Sequence, residues 1–426
     1  MRTRQFTLVA MIALLAPAQL AAIPAWSRKL GVSCNMCHAT PTLQLNQYGL
    51  EYLKKGHRAE TFKVDAKDQT LENYFTLNFK GRLVNDQFDG ARTGNSYTQR
   101  PKTQLELHAM SIYTGGELSE RLSYFAEVYL SENTGATSGG NVTQGDAARK
   151  KLAEAYLQYN APLGKNEHNY LKIRAGEILP EVLHVFGVGA RSAEQRAVVL
   201  NEALAGNTNT FRPFTRQQGL DAAIITEKLD VTVGVVNGSD ASTTNSLDAD
   251  RDKDIYATAL FNLDSDASAV GVYRHNGKFT NYATKQDYTT AIQFKNEFNR
   301  TGFLGRFIRD DWRLVGTYFM GEETTNAAGK LAKNSGFYAL ADWNFSEKVG
   351  TYVRFDKLDP NTDLGNNEVS MVMVGLNGMF FQTEKSGARW LVEYTMKDSY
   401  LGGTIAAAGT TKFTDRKLFA QISWGF

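Results

Sequence analysis

The chain has 426 residues, with 47 Lys and Arg against 45 Asp and Glu and a formal net charge of +2. This balance argues against a nucleic-acid-binding protein, which would normally carry a basic excess. Two cysteines can form only one disulfide bond, which excludes a protein of this length whose fold is held by a disulfide framework. A hydrophobic content of 42% excludes a disordered chain, and 24 Phe and 19 Tyr beside only 8 Pro favour β-structure.

Residues 1–22 have the pattern of an export signal. Arg2 and Arg4 precede a short apolar run, 6–16, and small alanines suited to cleavage follow it. An N-terminal membrane anchor is the alternative, but the run is shorter than the ~20 apolar residues that a spanning helix needs. No later segment could span a membrane as a helix, so a membrane protein with this sequence would be a closed β-barrel.

Residues 34–38 read Cys-Asn-Met-Cys-His, which is the C-x-x-C-H spacing of covalent c-type haem attachment. Cys34 and Cys37 can each add to one vinyl group of a single haem, and the imidazole of His38 then reaches the iron as an axial ligand. A redox dithiol, a zinc site and chance spacing are the alternatives, although a zinc site would need further Cys or clustered His. Because both cysteines lie in this motif after an export signal, the sequence predicts one covalent haem c.

The motif does not identify the sixth ligand of the iron. His57 is a candidate because it is close to the motif in sequence, and His108 and Met110 are candidates because their strand is predicted to direct them inward. His184 and His275 are further candidates. Each of these residues more often has an ordinary structural role, and His38 alone, or with water opposite, is the remaining option.

Apolar and polar residues alternate from about residue 71 to the end of the chain, with the period of two that marks strands with two different faces. The predicted strands are 71–84, 103–114, 121–131, 152–160, 169–178, 218–226, 229–237, 254–263, 267–275, 287–298, 312–321, 335–345, 349–358, 367–378, 388–398 and 416–426.

Long and short connections alternate between these sixteen strands, which is the pattern of outer-membrane barrels. The chain ends on Phe426 after an alternating aromatic strand, a second feature of such barrels. A secreted β-sandwich is the alternative, but it explains neither feature. The connection 299–311 is long and apolar for its side of the barrel, and reads either as a loop or as a strand extension.

The N-terminal segment resembles the haem segment of the fused cytochrome–porin family, which includes the outer-membrane cytochromes that oxidise ferrous iron. The matching residues are Ala22, Pro24, Arg28, Gly31, Cys34, Cys37, His38, Pro41, Leu43, Gly49, Lys54 and Gly56. The chain departs from the family pattern at Trp26, Ser27, Lys29, Leu30, Tyr48, Leu50 and His57. The resemblance implies that Pro24, Arg28, Pro41 and Leu43 surround the haem.

Together these features predict an all-β fold: a 16-stranded antiparallel transmembrane β-barrel with a small N-terminal c-type haem-binding plug. The predicted units are a signal peptide at 1–22, a monohaem cytochrome c-like plug at 23–65 and a porin-like barrel at 66–426. The plug is too small to hold a core alone, so we expect it in or at the periplasmic mouth of the barrel. The inward side chains predicted to hold it are Lys80, Arg82, Gln104 and Glu106.

The resemblance implies electron transfer in the bacterial outer membrane, from an extracellular donor such as Fe(II) to a periplasmic c-type cytochrome. Such a protein would be an Fe(II) oxidase-type oxidoreductase, and no acid–base residues are needed for the chemistry. Two alternatives stay open: a conduit for another redox partner, including outward electron flow, and a diffusion porin whose haem is structural. Outer-membrane lipid is an expected partner, nucleic acid is not, and a homo-oligomer is compatible with the sequence. The connection 179–217 is expected to fold inward and constrict the pore.

Overall fold

The structure is a computed structural model, and a large part of the chain is described by it. The described residues are 24–58, 70–89, 102–132, 151–166, 168–186, 193–194, 197–201, 216–238, 252–264, 267–282, 292–324, 330–383, 386–401, 403 and 407–426. The predicted signal peptide, 1–22, lies outside this part of the chain.

Sixteen antiparallel strands form one closed barrel. They are β1 (Phe75–Asp89), β2 (Lys102–Glu117), β3 (Leu122–Glu132), β4 (Lys151–Pro162), β5 (Tyr170–Ile178), β6 (Gln217–Ile225), β7 (Leu229–Val236), β8 (Asp254–Asn262), β9 (Ala269–Tyr282), β10 (Ile292–Arg309), β11 (Trp312–Thr324), β12 (Leu331–Asn344), β13 (Val349–Asp359), β14 (Val369–Gln382), β15 (Gly387–Leu401) and β16 (Thr411–Gly425). Each strand pairs with its neighbour in sequence, and β16 pairs back onto β1. The predicted barrel and its strand number are confirmed.

Strand β7 shows how the alternating sequence produces the barrel wall. Its apolar side chains Leu229 and Val233 are exposed on the outside, whereas Asp230 and Thr232 are buried on the inside. This is the reverse of a soluble β-protein, where the apolar face is buried. An apolar exterior around a polar interior is the arrangement of a membrane-spanning barrel.

Short turns join the strands at one end of the barrel and longer connections join them at the other. The connection 299–311 was the uncertain case, and β10 runs through it to Arg309, leaving only a tight turn before β11. It is therefore a strand extension. By the topology of outer-membrane barrels, the short-turn end faces the periplasm.

Aromatic side chains cluster on the exterior at the short-turn end. Trp312 and Trp343 stack with their ring centroids 4.9 Å apart, and the ring of Phe345 lies 4.5 Å from that of Trp343. The terminal Phe426 exchanges backbone hydrogen bonds with Leu77 of β1, so the end of the chain closes the barrel. Amphipathic aromatic rings at this level form the girdle expected at a membrane interface.

The described part of the N-terminal segment, 24–58, forms a small plug at the short-turn end. Its elements are helix α1 (Pro24–Leu30), a 3-10 turn (Cys34–Met36), the hairpin His38–Ala39 with Gln44–Leu45, and helix α2 (Gln47–Lys54). No described helix has the length and apolarity needed to cross a membrane.

The connection after β5 turns into the barrel, as expected. It contains helices α3 (Glu181–Val185) and α4 (Val198–Asn201). Between them, the carboxylate of Glu194 binds Lys80 of β1 at 2.6 Å, and the backbone N–H of Glu194 donates to Glu393 of β15 at 2.9 Å. These partners lie about midway along their strands, so the described residues of this connection lie in the lumen above the plug.

Candidate haem-attachment site

The two cysteines lie on one tight turn. The N–H of Cys37 donates to the carbonyl of Cys34 at 3.2 Å, and the N–H of Met36 donates to Ser33 at 3.0 Å. Cys34 is buried and Cys37 half-buried. The 3-10 turn thus presents both thiols from one compact loop, with His38 directly after it.

Asn46 fixes this turn to helix α2. Its Nδ2 donates to the carbonyls of Asn35 (3.1 Å) and Met36 (3.0 Å), and its Oδ1 caps the helix by accepting from the N–H of Gly49 (2.9 Å). Its own N–H donates to the carbonyl of Cys37 at 3.0 Å. Sequence reasoning missed this residue, although an Asn directly before a helix is a standard capping signal.

Gly49 lets the helix approach the attachment turn. A Cβ built on it would lie 2.1 Å from the carbonyl oxygen of Cys37, so no other residue fits without a shift of the backbone. This close approach explains in physical terms why a glycine stands at this position.

His38 is oriented by a backbone group. Its Nδ1 lies 2.8 Å from the carbonyl oxygen of Leu43, which itself adopts a left-handed conformation with φ 63°. A carbonyl only accepts, so Nδ1 carries the hydrogen and Nε2 keeps its lone pair. Burial lowers the pKa of His38, which favours the neutral imidazole. A neutral ring fixed through one nitrogen is how proteins present a histidine to a metal.

Burial raises the pKa of the Cys34 thiol to about 11, and burial together with Cys34 raises that of Cys37 to about 12. Redox-active dithiols show the opposite direction, because the thiolate is the reactive species. The environment therefore does not favour the redox-dithiol alternative.

The four residues that the resemblance places around a haem divide into two groups. Pro24 and Arg28 belong to α1, and the guanidinium of Arg28 donates to the carbonyl of Phe75 at 2.9 Å. Pro41 and Leu43 belong to the hairpin that follows His38. The described contacts of Arg28 therefore anchor the plug to β1.

Helix α1 is held to the first two strands of the barrel. The N–H of Ala25 donates to Oγ1 of Thr76 at 2.9 Å, and Nε1 of Trp26 donates to the carbonyl of Gly115 at 3.3 Å. Lys29 forms an ion pair with Glu117, and both side chains are buried. A buried pair of this kind is strongly disrupted when one partner is removed.

The hairpin is held to the opposite wall. Arg313 of β11 donates to Oγ1 of Thr42 at 3.0 Å and to Asp342 of β12 at 2.6 Å, and Gln44 donates to the same carboxylate. Asn344 donates to the carbonyl of Thr40 at 2.8 Å.

The end of helix α2 is held by a third part of the wall. Lys54 forms an ion pair with Asp230 of β7 at 2.6 Å. On β4, Gln158 donates to the carbonyl of Lys54 at 2.9 Å and Asn160 to that of Lys55 at 2.8 Å. Three separate arcs of the wall therefore hold the plug across the mouth of the barrel.

The wall residues expected to hold the plug have another main partner. Lys80 and Arg82 contact Glu194 of the inward connection, at 2.6 and 3.4 Å, and Glu106 lies 4.0 Å from Arg82. Gln104 donates to Glu106 at 3.3 Å. The expectation was wrong for these contacts because the strands meet the plug closer to the short turns, and the inward connection occupies the level above.

His57 is buried between aromatic rings. Its ring stacks on Trp26 of α1, with centroids 4.1 Å apart, and on Phe125 of β3, with centroids 4.8 Å apart. The ring of Tyr52 meets it edge-on at 5.8 Å. The described role of His57 is to join the plug to the wall, and its role as a distal ligand stays a prediction.

His108 accepts a hydrogen bond at Nδ1 from Arg82, 3.0 Å away. The same Nδ1 lies 3.5 Å from the carboxylate of Glu106, so this nitrogen of the ring has polar neighbours on the wall. The role of His108 as a distal ligand stays a prediction.

Met110 does not share the inward face of His108, and that expectation was wrong. Lys80 pairs with Ala109 but Gly81 pairs with Leu107, so His108 is an extra residue in β2 and the two faces exchange beyond it. Met110 pairs with Phe79, whose ring contacts the exposed Trp424 on the barrel exterior. It therefore points away from the lumen.

The other two histidine candidates lie outside the plug. His275 of β9 is buried against Asp254, with 3.0 Å between Nε2 and the carboxylate. It stands six residues beyond the short-turn end of its strand, a rise of roughly 20 Å. His184 belongs to α3 of the inward connection. Among the described residues, no group of three or more His, Cys, Asp or Glu side chains is arranged to hold a metal ion.

Comparison with known proteins identifies the architecture. No protein-family model matches the sequence. The anion-selective porin from Comamonas acidovorans superposes with a TM-score of 0.54 at 9% identity, covering 83% of this chain and 98% of the porin. OmpT, an outer-membrane protein of Vibrio cholerae, superposes with a TM-score of 0.50 at 12% identity, covering 86% of this chain and 100% of OmpT. At these identities the likeness establishes the fold alone.

One similarity to a curated protein is found in sequence. The chain is 22% identical over 280 residues to a flagellin of Salmonella paratyphi A, covering 66% of this chain and 50% of the flagellin. The chain thus spans about half the length of that protein, and this identity assigns no family.

The closed sixteen-strand wall, its apolar exterior and its aromatic girdle define a porin-like barrel of the bacterial outer membrane. Within that class, this protein carries a C-x-x-C-H turn on a plug held across the short-turn mouth.

Proposed function

We propose that the protein is an outer-membrane electron-transfer protein that carries one covalent c-type haem, attached through Cys34 and Cys37 with His38 as an axial ligand. One observation carries the proposal: the C-x-x-C-H turn is rigidly built, with His38 oriented by the Leu43 carbonyl, on a plug anchored across the barrel mouth. A bound haem would supply reversible one-electron chemistry at its iron. The protein residues would position and bury it, and would tune its potential.

The interior of the barrel supports electron transfer over diffusion. Tyr256, Phe319 and Tyr352 face inward, yet each is at most 1% exposed. In an open aqueous pore such side chains would line a solvated channel. The plug and the inward connection instead pack the described levels of the lumen, which is unfavourable for passage of solutes.

The resemblance suggests the direction and the partners. The protein would accept electrons from an extracellular donor, of which Fe(II) is the one that the family implies, and would deliver them to a periplasmic c-type cytochrome. The attachment turn lies at the short-turn end, which faces the periplasm, and the exposure of Asn35 and Met36 there suits delivery of electrons to a periplasmic cytochrome.

A spectroscopic redox titration of the purified protein tests the proposal. We expect a pyridine haemochrome spectrum of haem c in the wild-type protein and in the control Ser33→Ala, and loss of covalent haem in the double variant C34S/C37S. Reduction of the haem by Fe²⁺ would support iron as donor, whereas a haem that stays oxidised under excess Fe²⁺ would point to another redox partner. Absence of covalent haem from a fully exported protein would refute the proposal.

A diffusion porin with a structural haem is the competing function. Planar-bilayer recordings separate the two, because a packed lumen predicts little ion conductance in the wild-type protein. A large, open conductance without redox-linked current would favour the porin.

A further inference from the structure

A group of buried polar side chains on the barrel wall faces the plug hairpin. Asn377 of β14 is 0% exposed, and neither its Nδ2 nor its Oδ1 has a hydrogen-bond partner among the described residues. Oδ1 of Asn344 likewise has no hydrogen-bond partner among the described residues. Buried amides are normally hydrogen-bonded, and leaving one unpaired is destabilising. The wall therefore presents hydrogen-bonding groups to something beyond the protein's own side chains.

The register of the strands places this group beside the hairpin that follows His38. Asn377 pairs with Gly350 of β13, on the same inward face. A Cβ built on Gly350 would lie 3.2 Å from Cγ of Pro41 and 2.8 Å from Oδ1 of Asn344. The wall backbone and the hairpin thus meet directly at this level.

A buried arginine lies next to Asn377. On β15, Leu391 pairs with Asn377 and Arg389 pairs with Met379, so Arg389 is the diagonal neighbour of Asn377 on the inward face. Arg389 is only 3% exposed. A cation and an amide donor therefore lie side by side on the part of the wall that meets the hairpin at Pro41.

We propose that Arg389 and Asn377 bind a propionate carboxylate of the haem attached at Cys34 and Cys37, so that the barrel wall holds the polar edge of the cofactor. A guanidinium and an amide N–H are strong donors to a carboxylate, and burial strengthens the contact. The inference rests on the proposed function. A free anion such as phosphate has the same chemistry, and the experiment separates the two.

The test is a spectroelectrochemical titration of the holoprotein with the variant Arg389→Gln. Removing a positive charge beside the haem favours the more positive, oxidised iron, so the midpoint potential falls. Loss of one nearby, partly buried unit charge shifts the redox equilibrium on the order of tenfold. For one electron, tenfold corresponds to about 59 mV. Resonance Raman bands of the propionate groups shift in the same variant.

Three further variants control for folding and for charge. Arg300→Gln removes another buried inward arginine, whose Nη2 donates to Glu323 at 3.3 Å and which lies nine residues, a rise of roughly 30 Å, from the short-turn end of β10, and leaves both the potential and the propionate bands unchanged. Arg389→Lys keeps the charge, so the redox equilibrium constant of the haem stays within about twofold of the wild-type value. The propionate bands still shift in this variant. Asn377→Leu shifts the bands with little change in potential. If Arg389→Gln does not fold, the last two variants still decide.

Several results would overturn the inference. Unchanged propionate bands in Arg389→Lys and Asn377→Leu would show that the wall does not hold the carboxylate. A wild-type potential that moves on addition of inorganic phosphate at constant ionic strength would assign the site to a free anion. These outcomes need a haem-bearing protein, so they are distinct from failure of the proposed function, in which no covalent haem is found.

Discussion

Asn46 should decide the stability of the attachment turn, because it bonds both to the turn and to helix α2. Asn46→Ala removes the cap on Gly49, worth about 1 kcal/mol, and two side-chain bonds to the turn, worth roughly 0.5 kcal/mol each at this exposure. The expected loss of local unfolding free energy is about 2 kcal/mol. Asn46→Asp keeps an oxygen to cap the helix but loses both donors, so about 1 kcal/mol is lost.

Urea titration followed by tryptophan fluorescence measures this effect. Trp26 lies in the plug, and the other four tryptophans lie on barrel strands, which resist urea better: Trp312, Trp343, Trp390 and Trp424. With a urea slope of about 1 kcal/mol per M for so small a unit, the midpoint of the plug transition falls by about 2 M in Asn46→Ala and about 1 M in Asn46→Asp.

The neighbouring variant Gln47→Ala is the matched control. It removes only a 2.7 Å bond to Glu51 within the helix, so its midpoint should move by less than about 0.5 M. An Asn46→Asp midpoint equal to that of the wild type would refute the assigned contacts to the turn, and equal midpoints for the alanine and aspartate variants would refute the cap on Gly49. A Gln47→Ala effect as large as that of Asn46→Ala would show that the helix alone, and not its link to the turn, is being measured.

Three further predictions use the same plug transition or its consequence for the lumen. Lys29→Gln leaves Glu117 buried without its cation and should destabilise docking by about 3–5 kcal/mol, whereas Lys412→Gln, which breaks an exposed pair, should cost under about 1 kcal/mol by the same urea titration. Gly49→Ala should cost at least about 2 kcal/mol because its new Cβ meets backbone, while Gly81→Ala, with open space around it, should leave the midpoint unchanged. Lys29→Gln should also raise ion conductance in planar bilayers, and a conductance equal to wild type would contradict the role of the plug in closing the mouth.

The sequence predicted the barrel well because alternation is imposed on every strand by the two environments that it separates. A lipid exterior and a polar interior leave a period of two in strands such as β7, and no tertiary knowledge is needed to read it. The turn after β10 was harder. Its flanking residues are apolar through Phe307 and Ile308, so sequence alone could not distinguish a longer strand from a loop.

The position of individual side chains was less predictable than the strands. The extra residue at His108 exchanges the two faces of β2, and a single inserted residue has no local signature of its own. The partner of Lys80 is Glu194, more than a hundred positions away, in a connection whose path only the closed barrel defines. The wall residues Asn377 and Arg389 could not be predicted for the same reason, since only strand register places them beside the wall position that meets Pro41.

The whole chain is nearly balanced in charge, but the plug is basic and acidic residues of the wall pair with it. The described plug carries five basic residues, Arg28, Lys29, Lys54, Lys55 and Arg58, and one acidic residue, Glu51. The wall supplies the missing acids, because Glu117 binds Lys29 and Asp230 binds Lys54. These pairs are largely buried, so salt should screen them much less than it screens surface pairs. A plug too small to hold a core is therefore stabilised by charges that only the barrel can neutralise, and it should fold stably only in the company of that wall.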